Sequence, residues 1–518
     1  MSRATNDLIS KFIILPKAVN ITNPKLLRLF ETFKLNYDEF LPTKKPSFID
    51  KNPFEFHSSY NGNQSYVNNP RLSVTKLLTE SWCELRDYYE VYSGSVMEPS
   101  SEAQSLGSKY HEELEMESFE IISIGEFQKV LSEIFPVEQC EPGFRGIKDP
   151  GLAEIAFEPE NMLAYDWAES IMFKLYSLML NSETRELLVH DYLDLTHQKL
   201  GLSPDSVLIS GIIDHLKLVN VKDPQDFSMF EEIKAFLDLK FDNGIVDLDA
   251  LFLGLENILS SYNEIYKLQI TDVKTRRFNK IPNQDSVLKS AYLQVSYYKE
   301  FFERLSQDSK YTYESLCTNA MIRHHDLDKP LHPIILFSLL RKYPELFLND
   351  FKSIAKGSSI GHVPYSSEFK EFDGYDFTDI LTPEILKSLE QIDDFNYKSI
   401  LSTDILRKWE RPLTLRYFAA RSSQFFNLFK PFNSDLISIE YHNVRTKFNF
   451  KTIKYKFNKD DLENSVVSSS NFWNGTSSPR VVDDLSKCKY CDFNTKCSVP
   501  NQDMKYFGHK LSNFLNQG

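Results

Sequence analysis

The sequence has no run of 18 or more apolar residues, so no transmembrane helix is expected. Cysteine is scarce: six in 518 residues cannot make a secreted disulfide framework. Positive charge is in deficit, with 59 Lys and Arg against 73 Asp and Glu, a formal net of −14. Taken globally, that opposes nucleic-acid binding, because phosphate contacts need lysine and arginine. No internal repeat is visible, which leaves out repeat architectures.

What is present is apolar and unevenly charged. A hydrophobic share of 42%, with 14% aromatic, supplies a large core and argues against disorder. Residues 221–263 hold three basic and nine acidic residues, whereas 274–300 hold six basic and two acidic. The basic stretch leaves room for a DNA channel in an acidic protein. The first 30 residues carry Arg3, Lys11, Lys17, Lys25 and Arg28 against Asp7. That bias is similar to a mitochondrial presequence, and an ordinary basic arm would read the same way.

Three of the six cysteines cluster as Cys488-x2-Cys491-x5-Cys497. Three thiolates this close suit a metal or an iron–sulfur cluster, and such a site needs a fourth ligand. Cys83, 405 residues upstream (488 − 83), is the candidate, and it would staple the front of the domain to its back. Cys140 and Cys317 read as small buried hydrophobes.

Residues 40–70 read as a loop or linker. A helix is expected next, capped by Ser73 or Thr75, with Leu77, Leu78, Trp82, Leu85 and Tyr89 along its apolar stripe. Further helices are expected at 105–118, bearing His111, and at 160–180, 246–260 and 284–305. Strands are expected at 207–219 and 266–277, and again at 436–444 and 447–457, where a phase slip suggests a bulge. A Ser/Asn-rich loop should cover 464–479. His324 and His325 read as surface.

The chemistry gathers on two strands. Asp214 ends one apolar run, and Asp272-Val-Lys274 ends another. Residues two apart on a strand share a face, so two carboxylates and a lysine can meet there. Carboxylate oxygens suit Mg²⁺, which activates water and neutralises phosphoryl charge. Lys274 can orient that water or stabilise developing negative charge. His111 can add a nitrogen ligand. The triplets Glu232-Ile-Lys234 and Asp238-Leu-Lys240 are decoys, since they fall on helical pattern in the acidic insertion.

The ordered set of Gly107-x-x-x-His111, Gly211-Ile-Ile-Asp214, Asp272-Val-Lys274 and Gln294-x-x-x-Tyr298, with Cys83 and the cysteine triplet, resembles the iron–sulfur branch of RecB-like PD-(D/E)XK nucleases. Within that branch it is similar to the fungal mitochondrial exonuclease V family, whose entry helix Leu72-Ser-Val-Thr and Trp82-Cys83-Glu84 resemble. The likeness covers about residues 70–500. It implies an α/β fold with a restriction-endonuclease-like core, a mixed central sheet flanked by helices and closed by a [4Fe–4S] cluster on Cys83, Cys488, Cys491 and Cys497. It also implies Mg²⁺ and single-stranded DNA digested from a 5′ end.

By that resemblance Asp214 and Asp272 bind metal, Lys274 is catalytic and His111 adds a metal contact. Gln294 and Tyr298 line the DNA path or brace the site. Apart from the resemblance, Arg276, Arg277, Lys280 and Lys289 can grip phosphates, and a solvated basic face would read the same way. Asp272 stands where many relatives carry Glu, and the insertion between the two strands is long. The expected layout is an arm at 1–69, one nuclease domain at 70–500 and a tail at 501–518, in a mitochondrial monomer without membrane contact. The alternative is a non-catalytic nucleic-acid-binding or scaffold protein with a zinc site.

Overall fold

The computed structural model describes residues 50–59, 70–79, 82–93, 109–111, 114, 158–241, 245–360, 372–377, 405–482, 485–494, 497 and 499. Seven strands form one sheet: β1 (Arg71–Ser73), β2 (Glu183–Asp194), β3 (Lys199–Leu200), β4 (Val207–Asn220), β5 (Tyr266–Arg276), β6 (Leu436–Asn443) and β7 (Phe448–Lys456). The order along the sheet is β3-β2-β4-β5-β6-β7, with β1 added beside β4. Pairing is mostly antiparallel; only β1 with β4 and β5 with β6 run parallel. The sheet is mixed and flanked by helices, as the α/β expectation requires.

One edge of β4 belongs wholly to β2. The other is divided: β1 pairs with Leu208–Ser210, and β5 with His215–Asn220. Among the described residues, Gly211–Asp214 therefore have no strand neighbour on that side. This gap positions the site described below.

The helices are α1 (Pro53–Ser59), α2 (Glu84–Ser93), α3 (Pro159–Trp167), α4 (Lys174–Asn181), α5 (Ser228–Lys240), α6 (Leu248–Ser261), α7 (Asp285–Gln307), α8 (Ser309–Ile322), α9 (Pro333–Lys342), α10 (Pro344–Ala355), α11 (Leu415–Leu428) and α12 (Lys459–Asn474). A π-helical turn, Ala168–Phe173, joins α3 to α4, so the expected helix at 160–180 is continuous. Helix α7 buries Leu293, Tyr297, Phe301 and Leu305 and packs across β2, β4, β5 and β6. The acidic insertion carries α5 and α6, so both decoy triplets are helical. It is anchored by the buried Arg421, which pairs with Asp350 at 2.7 Å and Asp249 at 2.6 Å. The expected bulge is real: Tyr441 pairs with Lys451 and His442 with Asn449, leaving Phe450 as the extra residue.

Four local expectations are corrected. Helix α1 falls inside the expected linker, because Asn52 and Glu55 form a reciprocal capping box at 2.8 Å each way. The expected helix from Ser73 is instead β1, a 3₁₀ turn (Val74–Leu77) and α2. Strand pairing of Arg71–Ser73 with β4 competes for that segment, and the Ser73 and Thr75 hydroxyls bond each other at 2.8 Å rather than capping. The expected Ser/Asn-rich loop is largely α12. Asn458 caps it, accepting from the Asp460 amide at 3.0 Å, and Leu462, Val466, Phe472 and Trp473 bury its apolar stripe. Its serines survive in a helix because Ser470 Oγ donates back to the Val466 carbonyl at 2.7 Å. Finally, His324 is exposed but His325 is not. His324 takes φ 62, and the turn brings the His325 ring to 8% exposure, 3.8 Å from Glu160.

Cys317 is buried, as expected. Cys140, Gly107, most of the 105–118 segment, the arm before residue 50 and the tail from 501 lie outside the described residues.

Candidate active site

The carboxylates are brought together by ladder register. Strands β4 and β5 pair as His215↔Thr271, and one more step sets Asp214 opposite Asp272. At this point the ladder opens. Asp214 Oδ2 takes the place of a backbone acceptor and receives the Val273 amide at 2.6 Å. Asp272 has no exposed surface. Lys274 Nζ donates to its Oδ1 at 3.1 Å and forms an ion pair with its Oδ2 at 2.9 Å. Lys274 Nζ also donates to Gln294 Oε1 at 2.9 Å, and Gln294 Nε2 donates to the Tyr298 hydroxyl at 2.9 Å. Helix α7 thus holds the lysine from behind.

Tyr298 fills the gap in the sheet. A Cβ on Gly211 would lie 2.6 Å from Tyr298 Cε1 and 2.9 Å from Val74 Cγ2, so only glycine admits the ring. Tyr298 is 4% exposed. Of the two roles implied for it, bracing matches this position; its face is not open to a base. Burial, then the charges of Asp272 and Asp214, hold its hydroxyl well above the ordinary value, so it stays neutral.

His111 reaches the same place from the segment 109–111, which is helical. Its Nδ1 lies 3.4 Å from Glu186 Oε1 on β2. His111, Glu186 and Asp214 offer ligand atoms all within 4.8 Å of one another, close enough to hold a metal ion. Burial opposes the imidazolium, but the Glu186 hydrogen bond and the Asp214, Glu186 and Asp272 charges outweigh it and raise the His111 pKa. Burial, then the Asp272 charge, pushes Asp214 up to about 7, against the pull of His111 and Lys274.

A groove of about 350 Å³ leads away from Lys274. Arg276, Gln294, Trp82, Lys487 and Tyr490 line it. The Arg276 guanidinium lies 5.8 Å from the Tyr441 ring; Arg277 and Tyr298 are not among the groove's lining residues. Trp82, 38% exposed, and Tyr490, 77% exposed, were not singled out from sequence as groove aromatics. Nothing local distinguishes them; only their shared position beside the cysteines does.

Cys83, Cys488, Cys491 and Cys497 line one pocket with Leu85, Tyr89 and Phe493. Burial raises the Cys491 and Cys497 thiols above their ordinary pKa, so a cation is needed to hold them as thiolates. The surrounding bonds also span the chain. Glu84 Oε2 receives the Arg480 amide at 2.8 Å and Oε1 its guanidinium at 2.9 Å. Arg86 donates to Asp492 at 3.3 Å, and Trp473 Nε1 to the Lys76 carbonyl at 3.1 Å.

The family model described as exonuclease V, a 5′ deoxyribonuclease, matches residues 64–499. A Candida albicans (strain SC5314) protein is 39% identical over 525 residues, covering 96% of this chain and 82% of its own. A Debaryomyces hansenii protein is 38% identical over 539 residues, covering 92% and 82%. One from Scheffersomyces stipitis is 36% identical over 542 residues, covering 95% and 94%. All three bear the name mitochondrial exonuclease V. With a family match spanning residues 64–499 and relatives this similar over nearly the whole chain, the chain belongs to the exonuclease V family and is a 5′ deoxyribonuclease, a hydrolase of DNA phosphodiester bonds.

Proposed function

We propose that this mitochondrial enzyme digests single-stranded DNA from a 5′ end with Mg²⁺, on a PD-(D/E)XK core closed by a [4Fe–4S] cluster. The observation that carries the reading is the opposition of Asp214 and Asp272 across an opening ladder, with Lys274 two residues on. The donors fit a hard cation: they are carboxylate oxygens, with Asp272 fully buried one register step from the β4–β5 pairing. Bound Mg²⁺ would lower the pKa of a water and neutralise phosphoryl charge. Asp214 and Asp272 would hold it. Lys274, fixed by Gln294 and Tyr298, presents an ammonium to the reacting phosphate, and the buried gap keeps bulk water away from that pair. Arg276 and Lys487 supply phosphate contacts along the groove, and Trp82 and Tyr490 offer faces on which unpaired bases stack.

Cys83, Cys488, Cys491 and Cys497 line one pocket, and four thiolates there would hold the inorganic core of the cluster. When bound, that core would tie Cys83 to the C-terminal loop and hold Trp82 and Tyr490 beside the groove.

The test is a nuclease assay on single strands blocked at one end, on circles and on blunt duplex, with and without Mg²⁺, using protein whose visible spectrum is recorded first. Mg²⁺-dependent loss of 5′-open single strands by brown protein absorbing near 400 nm is expected. Cutting of closed circles would overturn exonuclease action, and colourless protein with stoichiometric zinc would overturn the cluster.

A further inference from the structure

The tip where β5 ends and β6 turns into β7 is charged against the rest of the chain. Residues 273–284 hold four Lys or Arg and residues 441–459 hold six, with no Asp or Glu in either segment, in a protein of net −14. Backbone bonds join the two segments. Arg276 pairs with Asn443 at the end of the β5–β6 ladder, and the Val444 amide donates to the Arg276 carbonyl at 3.0 Å. The buried Asn443 then fixes both turns. Its Oδ1 accepts from the Arg445 amide at 2.9 Å, and its Nδ2 donates to Asn279 Oδ1 at 2.6 Å. The basic side chains therefore stand on a preformed support, which lowers the ordering cost of binding.

Two aromatic rings stand out from the same tip. Phe278 is 70% exposed and Phe448 is 64% exposed, and the Arg445 guanidinium lies 5.8 Å from the Phe278 ring. Strand β7 ends the sheet order, and lysines on an edge strand ordinarily guard it against pairing with another chain. That accounts for Lys454 and Lys456 farther along β7, but exposed phenylalanines work against such guarding. Lys447 is a further sign. It closes the β6–β7 turn at φ 52, a left-handed position that glycine or asparagine fills at less cost. The tip is also continuous with the groove, because Arg276 belongs to both.

We propose that Phe278, Arg445, Lys447 and Phe448 form a second DNA-binding site, which holds the unpaired part of the substrate strand lying beyond the groove. The inference rests on the single-strand reading above. Phenylalanine faces stack on bases of any sequence, and Arg445 and Lys447 neutralise the phosphates beside them. Duplex DNA keeps its base faces inside its own stack, so it can use only the charges. A short strand occupies the groove alone, whereas a longer one reaches past Arg276 to the tip. The tip thereby keeps a long strand on the enzyme between successive cuts.

The experiment measures binding of fluorescent single strands of roughly 6 and roughly 30 nucleotides to the full chain by anisotropy in EDTA. Wild type is compared with Phe278→Ala/Phe448→Ala and with Arg445→Ala/Lys447→Ala. The aromatic pair variant should bind the long strand about tenfold more weakly. The charge pair variant should lower the slope of log affinity against log salt by about 0.7 per side chain. Both losses should vanish on the short strand. A companion variant, Lys447→Gly, relieves the backbone at φ 52. Its melting temperature should match or exceed that of wild type while its long-strand affinity falls. Unchanged long-strand affinity in all three variants would overturn the tip and leave the single-strand reading standing. Equal losses on short and long strands would also overturn it, since the tip would then act through the groove. Vesicles of anionic phospholipid that bind wild type but not the charge pair variant, with strand affinity unchanged, would give the tip to a membrane surface instead. Wild type that binds blunt duplex as tightly as the long single strand would bring down the single-strand reading itself.

Discussion

Two regions of this molecule join residues far apart in the chain, and they do so by different means. The carboxylate centre is assembled by backbone register: β2, β4 and β5 each deliver one acidic side chain to the same level of the sheet. The cysteine pocket has no such frame. Its cysteines come from the residue before α2 and from a C-terminal segment held by side-chain bonds such as Glu84–Arg480 and Arg86–Asp492. A centre built on a sheet should survive loss of its own side chains. A centre built from cross-links is itself part of what holds its surroundings.

The sharpest way to break that contrast is Asp272→Ala. The DNA cleavage rate should fall on the order of 10³-fold, since removing a metal ligand forfeits about 4 kcal/mol of barrier lowering. The circular dichroism spectrum should remain that of wild type; a protein that unfolds instead would show that the carboxylates hold the sheet. Cys83→Ser should do the reverse. It should destabilise the protein by about 3 kcal/mol in denaturant titration, because site binding energy is folding energy and the loop it closes is long, while Cys317→Ala should cost about 1 kcal/mol. Equal losses for the two cysteines would erase the distinction.

Gly211→Ala probes the join between sheet and site. Its new Cβ meets Tyr298 at 2.6 Å, so we expect a loss of about 2 kcal/mol from overpacking. The rate should drop as well, because Tyr298 holds Gln294 and Gln294 holds Lys274. Unchanged melting and rate would mean the gap is looser than its geometry.

The smallest effect is one of pH. Asp214 is raised from 3.8 to about 7 by burial and then by Asp272. The folded protein therefore holds a proton that the unfolded chain releases. Its contribution to stability is fully present below about pH 4 and is lost as pH rises through about 7. In cation-free protein this part of the melting profile should decline across that window, and a divalent cation should flatten it. Cleavage at limiting Mg²⁺ should run the other way, rising with pH as the cation displaces the proton from this carboxylate. A flat profile in both measurements would place Asp214 in a wetter setting than its burial implies.

Much of the carboxylate centre was legible in sequence. Asp214, Asp272 and Lys274 each end an apolar, strand-length run, and β4, β5 and α7 lie close to where periodicity put them. Glu186 was not legible. It lies in Glu183-Thr-Arg-Glu186, where nothing local marks it, and its relation to Asp214 exists only once β2 pairs with β4. The segment from Ser73 misled because a three-residue strand paired with β4 outweighed an apolar helical stripe. Helix α12 was hidden by serines whose hydroxyls bond to nearby carbonyls instead of breaking the helix. The cysteine spacing stood out, but the pocket's walls, Tyr89 and Phe493, come from tertiary packing alone.

The cysteine pocket also has a timetable. Ribosomes make about 5–20 residues per second, so Cys83 waits roughly 20–80 s for the residues 405 positions later. Until then, β1 and α2 have been made but have no C-terminal segment to dock on. A product cut short anywhere before residue 488 lacks three of the four thiols, whatever the state of the strands upstream. Completion of the pocket is therefore a length check on the nascent chain, passed only once residues 488–497 have been made.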